Sequence, residues 1–266
     1  MRGRSQSSSI PTRRSKRGTT AVAQTWTVRR ALAELARHGD QRNVEGMARF
    51  GIRTKQVYGV SKPKLDQLAR AIGTDHALGL KLWKTGIHDA RLLGMLVSEA
   101  KSVTSAQMDQ WVRDFDNWDV CDGTCCHLFV DAKPAWKKAF SWTSREKEFE
   151  KRAGFALAAF LAIHDRAAGD APFLKFMKVI EREAWDERNF VRKAVNWALR
   201  NIGKRNRRLN RAAIQAAERI QRGGTRAGRW VAADALRELK SQAVQKRLLK
   251  ERGLRSRVRH AKHENS

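Results

Sequence analysis

Apolar positions along the chain recur at helical spacing almost throughout, and no convincing period-2 alternation marks a strand. Ala, Leu, Arg, Lys and Glu dominate the body. The only prolines are Pro11, Pro63, Pro134 and Pro172. Each precedes or opens a helical stretch, where a missing N–H does least harm. Helices are predicted to begin near Thr27, Asn43, Lys64, Asp75, Asp89, Ser105, Asn117, Pro134, Arg145, Pro172, Arg188, Arg207, Thr225 and Ser241. Such short helices need neighbours on which to bury an apolar face.

A weak repeat shows how they are arranged. Glu148-Phe149-Glu150-Lys151-Arg152-Ala153 resembles Asn189-Phe190-Val191-Arg192-Lys193-Ala194, 41 residues later. A third copy starts at Arg229, in Arg229-Trp230-Val231-Ala232. Periods of about 40–47 residues are those of HEAT and armadillo arrays. The expected fold is therefore all-α, a HEAT-like α-helical repeat superhelix. Ala153, Ala156, Ala194 and Ala198 would let paired helices approach closely.

Composition then narrows the partner. The chain of 266 residues has 55 Lys and Arg against 27 Asp and Glu, a formal net charge of +28. A fold that repels itself so strongly calls for a polyanion, nucleic acid first and an acidic membrane surface second. The longest notable uncharged stretch, Ala153 to His164, is too short to span a bilayer. Residues 1–23 are expected to form a disordered basic tail, 24–251 the repeat domain and 252–266 a second basic tail. Met1 to Thr20 has no acidic residue; it suits a DNA-gripping arm, a mitochondrial presequence or a nuclear-import patch. Cys121, Cys125 and Cys126 form an odd, clustered set. That argues for a reducing compartment, either a bacterial cytoplasm or a nucleus. These cysteines and His127 are too crowded on one helix to close a metal site, so they read as buried small hydrophobes. No metal and no cofactor is expected. His88, His164 and His260 are isolated and read as structural or surface residues. Gly223-Gly224 reads as a turn. The basic run Lys204 to Arg211 reads equally as a solvated face or a phosphate contact.

The segment Asp114 to Gly123 carries the candidate chemistry. Asp116 or Asn117 can cap a helix, and Asp119 then lies in its first turn, where a carboxylate is favoured. Asp122 lies four residues after Trp118, so the two share a face. A carboxylate there either pairs with a nearby arginine or performs chemistry, and spacing alone leaves both open. Further on, Trp197 follows Lys193 by four residues and precedes Arg200 by three. It reads either as a core tryptophan among snorkelling cations or as an aromatic platform for nucleic acid. If equivalent helices line one surface, Arg152, Lys193 and Trp197 share it with Trp118 and Asp122.

Trp118-Asp119-Val120-Cys121-Asp122 resembles the tryptophan-aspartate-x-x-aspartate signature of the DNA alkylation repair family, the AlkD-like glycosylases. Lys193-Ala194-Val195-Asn196-Trp197-Ala198-Leu199-Arg200 is similar to that family's lysine-alanine-x-x-tryptophan-x-leucine-arginine helix. Arg152-Ala153, Gly46 to Phe50 and Tyr58-Gly59-Val60 resemble other family segments in the same order. The likeness covers roughly residues 40 to 240. Asn117 stands where some members carry a second tryptophan. The resemblance implies an α-solenoid with a concave basic face around duplex DNA. It implies a monomeric, monofunctional DNA glycosylase that removes purines alkylated at N3 or N7 without flipping the base. Asp122 would be the catalytic carboxylate, Trp118 and Trp197 walls against the sugar, and Arg152, with Lys193 and Arg200, the DNA-binding cations. The alternatives are a DNA-binding scaffold without activity and an RNA-binding helical repeat protein.

Overall fold

A computed structural model describes residues 25–250. The two basic tails expected at 1–23 and 252–266 lie outside these residues. Every regular element among the described residues is a helix. Besides two short 3-10 turns, Ala100–Ser102 and Phe129–Asp131, these are in chain order α1 (Val28–Arg37), α2 (Gln41–Arg49), α3 (Lys62–Ile72), α4 (His76–Lys84), α5 (His88–Val97), α6 (Ser105–Arg113), α7 (Trp118–His127), α8 (Ala135–Trp142), α9 (Glu148–His164), α10 (Asp170–Glu183), α11 (Asn189–Gly203), α12 (Arg207–Arg222) and α13 (Arg226–Leu239). Residues 242–250 are helical too. Every helix start read from the sequence falls within three residues of an observed one.

Local chemistry places many of these starts. The side chains of Thr27, Asp40, Asp75, Thr104, Asn117, Asn206 and Thr225 each accept a hydrogen bond from an orphan N–H of the following first turn. Pro63 sits within the first turn of α3, and Pro134 caps α8.

The helices form two layers. An inner row runs α3, α5, α7, α9, α11, α13, each packed on the next. The outer helices α4, α8 and α12 back onto α5, α9 and α13, while α10 packs on α11 and α12. Outer α6 joins α8 through Asp109, which accepts hydrogen bonds from Lys138 and from Trp142 Nε1, the latter at 2.9 Å. This is the HEAT-like arrangement. The uncharged stretch in α9 has its explanation here: Ala153, Phe155, Ala156, Leu157, Ala158 and Ala159 are buried because α9 is enclosed by α7, α8 and α11. Among the described residues no helix is long and apolar enough to cross a membrane.

Close approach is built in by small residues. A Cβ on Gly154 would lie 2.8 Å from the Thr143 backbone nitrogen, so α8 and α9 meet only because that atom is missing. The weak repeat is visible as contact between equivalent residues. Phe149 and Phe190, equivalent positions of successive repeats, have ring centroids 5.2 Å apart. In the third copy Trp230 carries the Arg192 guanidinium 4.8 Å above its ring.

Candidate functional site

The site begins at the N-terminus of α7. Asn117 is buried, and its side-chain oxygen accepts from Val120 N at 3.0 Å. Trp118 is therefore the first helical residue, and Asp122 follows one turn later on the same face. Trp118 Nε1 donates to the Phe50 carbonyl at 2.9 Å. That bond ties α7 to the turn after α2.

Asp122 meets Arg152 of α9 in a two-pronged pair. Arg152 Nε donates to Oδ1 at 2.9 Å and Nη2 to Oδ2 at 2.6 Å. Arg152 Nη1 donates to the Phe190 carbonyl at 2.7 Å, reaching the start of α11. The Arg152 side chain is 8% exposed and the Asp122 side chain 17%. Burial pushes the Asp122 carboxyl above its ordinary value, and the charge and hydrogen bonds of Arg152 oppose that rise. Each carboxylate oxygen keeps a second lone pair beyond the bond it accepts from Arg152.

Arg152 thus departs from the expectation of a free phosphate ligand on the inner face. Its three nitrogens bind a carboxylate and a backbone carbonyl. Arg200 departs likewise: Nη1 donates to Glu238, and Nε lies 3.5 Å from Asp234. Two carboxylates of α13 neutralise it, and no spacing within α11 shows them. Lys193 is exposed, as a phosphate contact requires.

Trp197 is partly exposed and packs edge-on against Phe160, with centroids 4.8 Å apart. Phe160 lies eight residues beyond Arg152, about 12 Å along α9 at helical rise. The inner row therefore brings Trp118, Asp122, Arg152 and Phe190 together in one cluster. Trp197 belongs to a second station further along the same helices.

Sequence reasoning missed His88, which it treated as isolated. His88 is buried at the start of α5, with Nε2 3.1 Å from Asp119 Oδ2 and Nδ1 3.4 Å from Asn117 Nδ2. An amide nitrogen only donates, so this geometry fits the tautomer with the proton on Nε2. Asp119 is hence more than a first-turn carboxylate. The partners are about thirty residues apart, so no local motif reveals them. Next door, Asp89 accepts from Tyr58 N at 2.6 Å and Val60 N at 2.7 Å, fixing the segment that leads into α3. Between α2 and this floor lies a cavity of about 630 Å³, with Met47, Phe50, Leu92, Trp118 and Gly123 among its walls. The three cysteines are free, and Cys121 and Cys125 each lie 3.7 Å from a carbonyl of α9. Among the described residues no group of His, Cys, Asp and Glu is placed to hold a metal ion.

The family model described as DNA alkylation repair enzyme matches residues 31–246. Among curated proteins no match was found. A solved structure described as "A new family of proteins related to the HEAT-like repeat DNA glycosylases with affinity for branched DNA structures" superposes with a TM-score of 0.67 at 17% identity, covering 80% of this chain and 96% of that one. At that identity the likeness concerns the fold. The family match spans most of the chain, from α1 into the last described helix, and includes every residue of the site. The chain belongs to the DNA alkylation repair enzyme family.

Proposed function

We propose that this protein is a monofunctional DNA glycosylase that hydrolyses the N-glycosidic bond of N3- and N7-alkylated purines in duplex DNA. The observation that carries this reading is Asp122. Its carboxylate is fixed by Arg152 at 2.9 and 2.6 Å, and its side chain, one helical turn after Trp118, stays 17% exposed. An alkylated purine is already cationic and leaves readily, so the barrier lies in the positive charge that develops on the deoxyribose. A preorganised carboxylate stabilises that charge and orients a water. Trp118 offers its ring face to the same cation. No lysine nucleophile is involved, so the product is an abasic site and an intact strand.

In this reading Arg152 is a positioning residue. It holds Asp122 in one orientation and keeps it ionised against the effect of burial. Trp197, about 12 Å further along the helix axes, meets a neighbouring nucleotide. Lys193 on the same face meets a phosphate. The lesion stays in the duplex.

A second reading, a DNA-binding scaffold without catalysis, is favoured by one feature. Both oxygens of Asp122 already carry an arginine. One experiment separates the two. Duplex DNA containing N7-methylguanine is incubated with wild-type protein and with Asp122→Asn, and free base is measured. The glycosylase reading expects release by the wild type and a loss of about 10²–10³ in the variant. Absence of release across methylated and bulky adducts, with binding intact, establishes the scaffold.

A further inference from the structure

We propose that the turn after α2 is a wedge, with Phe50 inserting between base pairs beside the sugar that Trp118 and Asp122 face. The proposal rests on the DNA reading of the inner face, not on catalysis.

Phe50 is the most exposed large apolar side chain among the described residues, at 72%. The two exposed tryptophans each carry a cation. Trp185 has Lys151 Nζ 5.2 Å from its ring, and Trp230 has Arg192 at 4.8 Å. Phe50 makes no ring or cation contact of this kind among the described residues.

The backbone beneath Phe50 is nevertheless held firmly. Its N–H donates to Met47 O at 3.0 Å, and its carbonyl accepts from Trp118 Nε1 at 2.9 Å. Gly51 follows with φ +79°, and the Phe190 ring lies 3.0 Å from where a Cβ would stand. Ile52 is buried. The turn is therefore clamped between α7 and the start of α11, whose Phe190 carbonyl holds Arg152. An apolar ring that is 72% exposed on a fixed backbone, at the wall of the cavity that Trp118 also lines, has the form of an intercalating side chain.

The surrounding charge fits DNA and no apolar protein partner. From Gly46 to Leu65 the chain has no acidic residue and carries Arg49, Arg53, Lys55, Lys62 and Lys64. Arg49 and Arg53 flank the ring in sequence and are exposed. They are placed to meet phosphates on either side of the opened step. A wedge of this kind parts and kinks a base step without extruding the base.

The test uses a duplex with 2-aminopurine next to a tetrahydrofuran abasic-site analogue, on which no base release can occur. Unstacking of 2-aminopurine raises its fluorescence. Saturating full-length wild type is expected to raise the signal several-fold. Phe50→Ala should abolish the rise and weaken binding to this duplex about tenfold, the scale of a lost base–aromatic stack. Phe50→Leu should retain part of the rise. Because Phe50 is exposed, both variants should melt as the wild type does. Affinity of Phe50→Ala for undamaged duplex should change less than twofold. An equal rise and equal affinity with Phe50→Ala overturns the wedge, as does a wild-type protein that binds without any rise. Base release is scored separately on methylated duplex. Release without unstacking removes the wedge and leaves the glycosylase; unstacking without release does the reverse.

Discussion

Replacing Arg152 with methionine removes the charge from the Asp122 pair while keeping most of the aliphatic stem. The carboxylate left behind is only 17% exposed, and the Phe190 carbonyl loses its donor at 2.7 Å. Removing one partner of a buried ion pair typically destabilises by about 3–5 kcal/mol, because the remaining charge has no compensation. The residual exposure of Asp122 argues for the lower half of that range. For a domain of this size about 3 kcal/mol corresponds to a melting temperature roughly 6–12 °C lower. The penalty must also depend on pH. Without Arg152 the folded carboxyl rises further above the unfolded value near 4. A raised folded value costs nothing below the unfolded one, and the penalty grows as pH climbs towards the folded one. Arg152→Met should therefore fall short of the wild type near pH 4 only by the lost Phe190 hydrogen bond, and be clearly weaker at pH 8. Asp122→Leu should lack this recovery, since a stranded guanidinium does not deprotonate. The double variant Arg152→Met/Asp122→Leu should regain much of the loss, giving a large coupling energy in a double-mutant cycle. Urea unfolding of the four proteins at both pH values measures all of this. A single-variant effect below about 1 kcal/mol at pH 8, or strictly additive variants, refutes the buried pair.

Three further outcomes follow from other parts of the fold. Burial alone would raise the Asp186 carboxyl, but hydrogen bonds from Arg188 and Lys151 outweigh it and bring the value down from 3.8 to about 2. Its stabilisation is thus present above 3.8 and fades as pH falls towards 2, so Asp186→Asn should flatten the melting-temperature profile in that window; an unchanged slope removes Asp186 from acid stability. Lys193→Ala should lower the slope of log affinity against log salt by about 1, whereas Arg200→Ala, whose guanidinium already bonds Glu238, should change it less; equal changes would place both cations on phosphates. Gly51→Ala forces a side chain into positive φ against the Phe190 ring, and should destabilise by about 1–2 kcal/mol in thermal melts; an unaltered melt would show that the turn is not clamped.

Much of the architecture could be read from residue order. Helix starts follow from caps such as Thr27, Asp75, Asn117 and Thr225, because a cap acts over three residues. The 41-residue echo between Phe149 and Phe190 points to stacked repeats, and the two rings do meet, tilted, with centroids 5.2 Å apart. The four-residue step from Trp118 to Asp122 guarantees a shared face within one helix. Charge balance by itself points to a polyanion.

What happens between helices was not legible in that way. A cation's availability depends on what stands opposite it, and those partners lie far along the chain. Arg152 is held by Asp122 thirty residues earlier, and Arg200 by Glu238 thirty-eight residues later. His88 gains its meaning only from Asn117 and Asp119 on the adjacent inner helix. The spacing in α11 likewise gives no hint that Trp197 settles against Phe160, about 12 Å from the Asp122 cluster. Sequence alone determined the helices, their repeat and the sign of the partner, because these rest on short-range periodicity and summed charge. Tertiary structure alone decided which charges are neutralised, which aromatic rings share a station and which ring stands free, because pairing is a matter of distance in space.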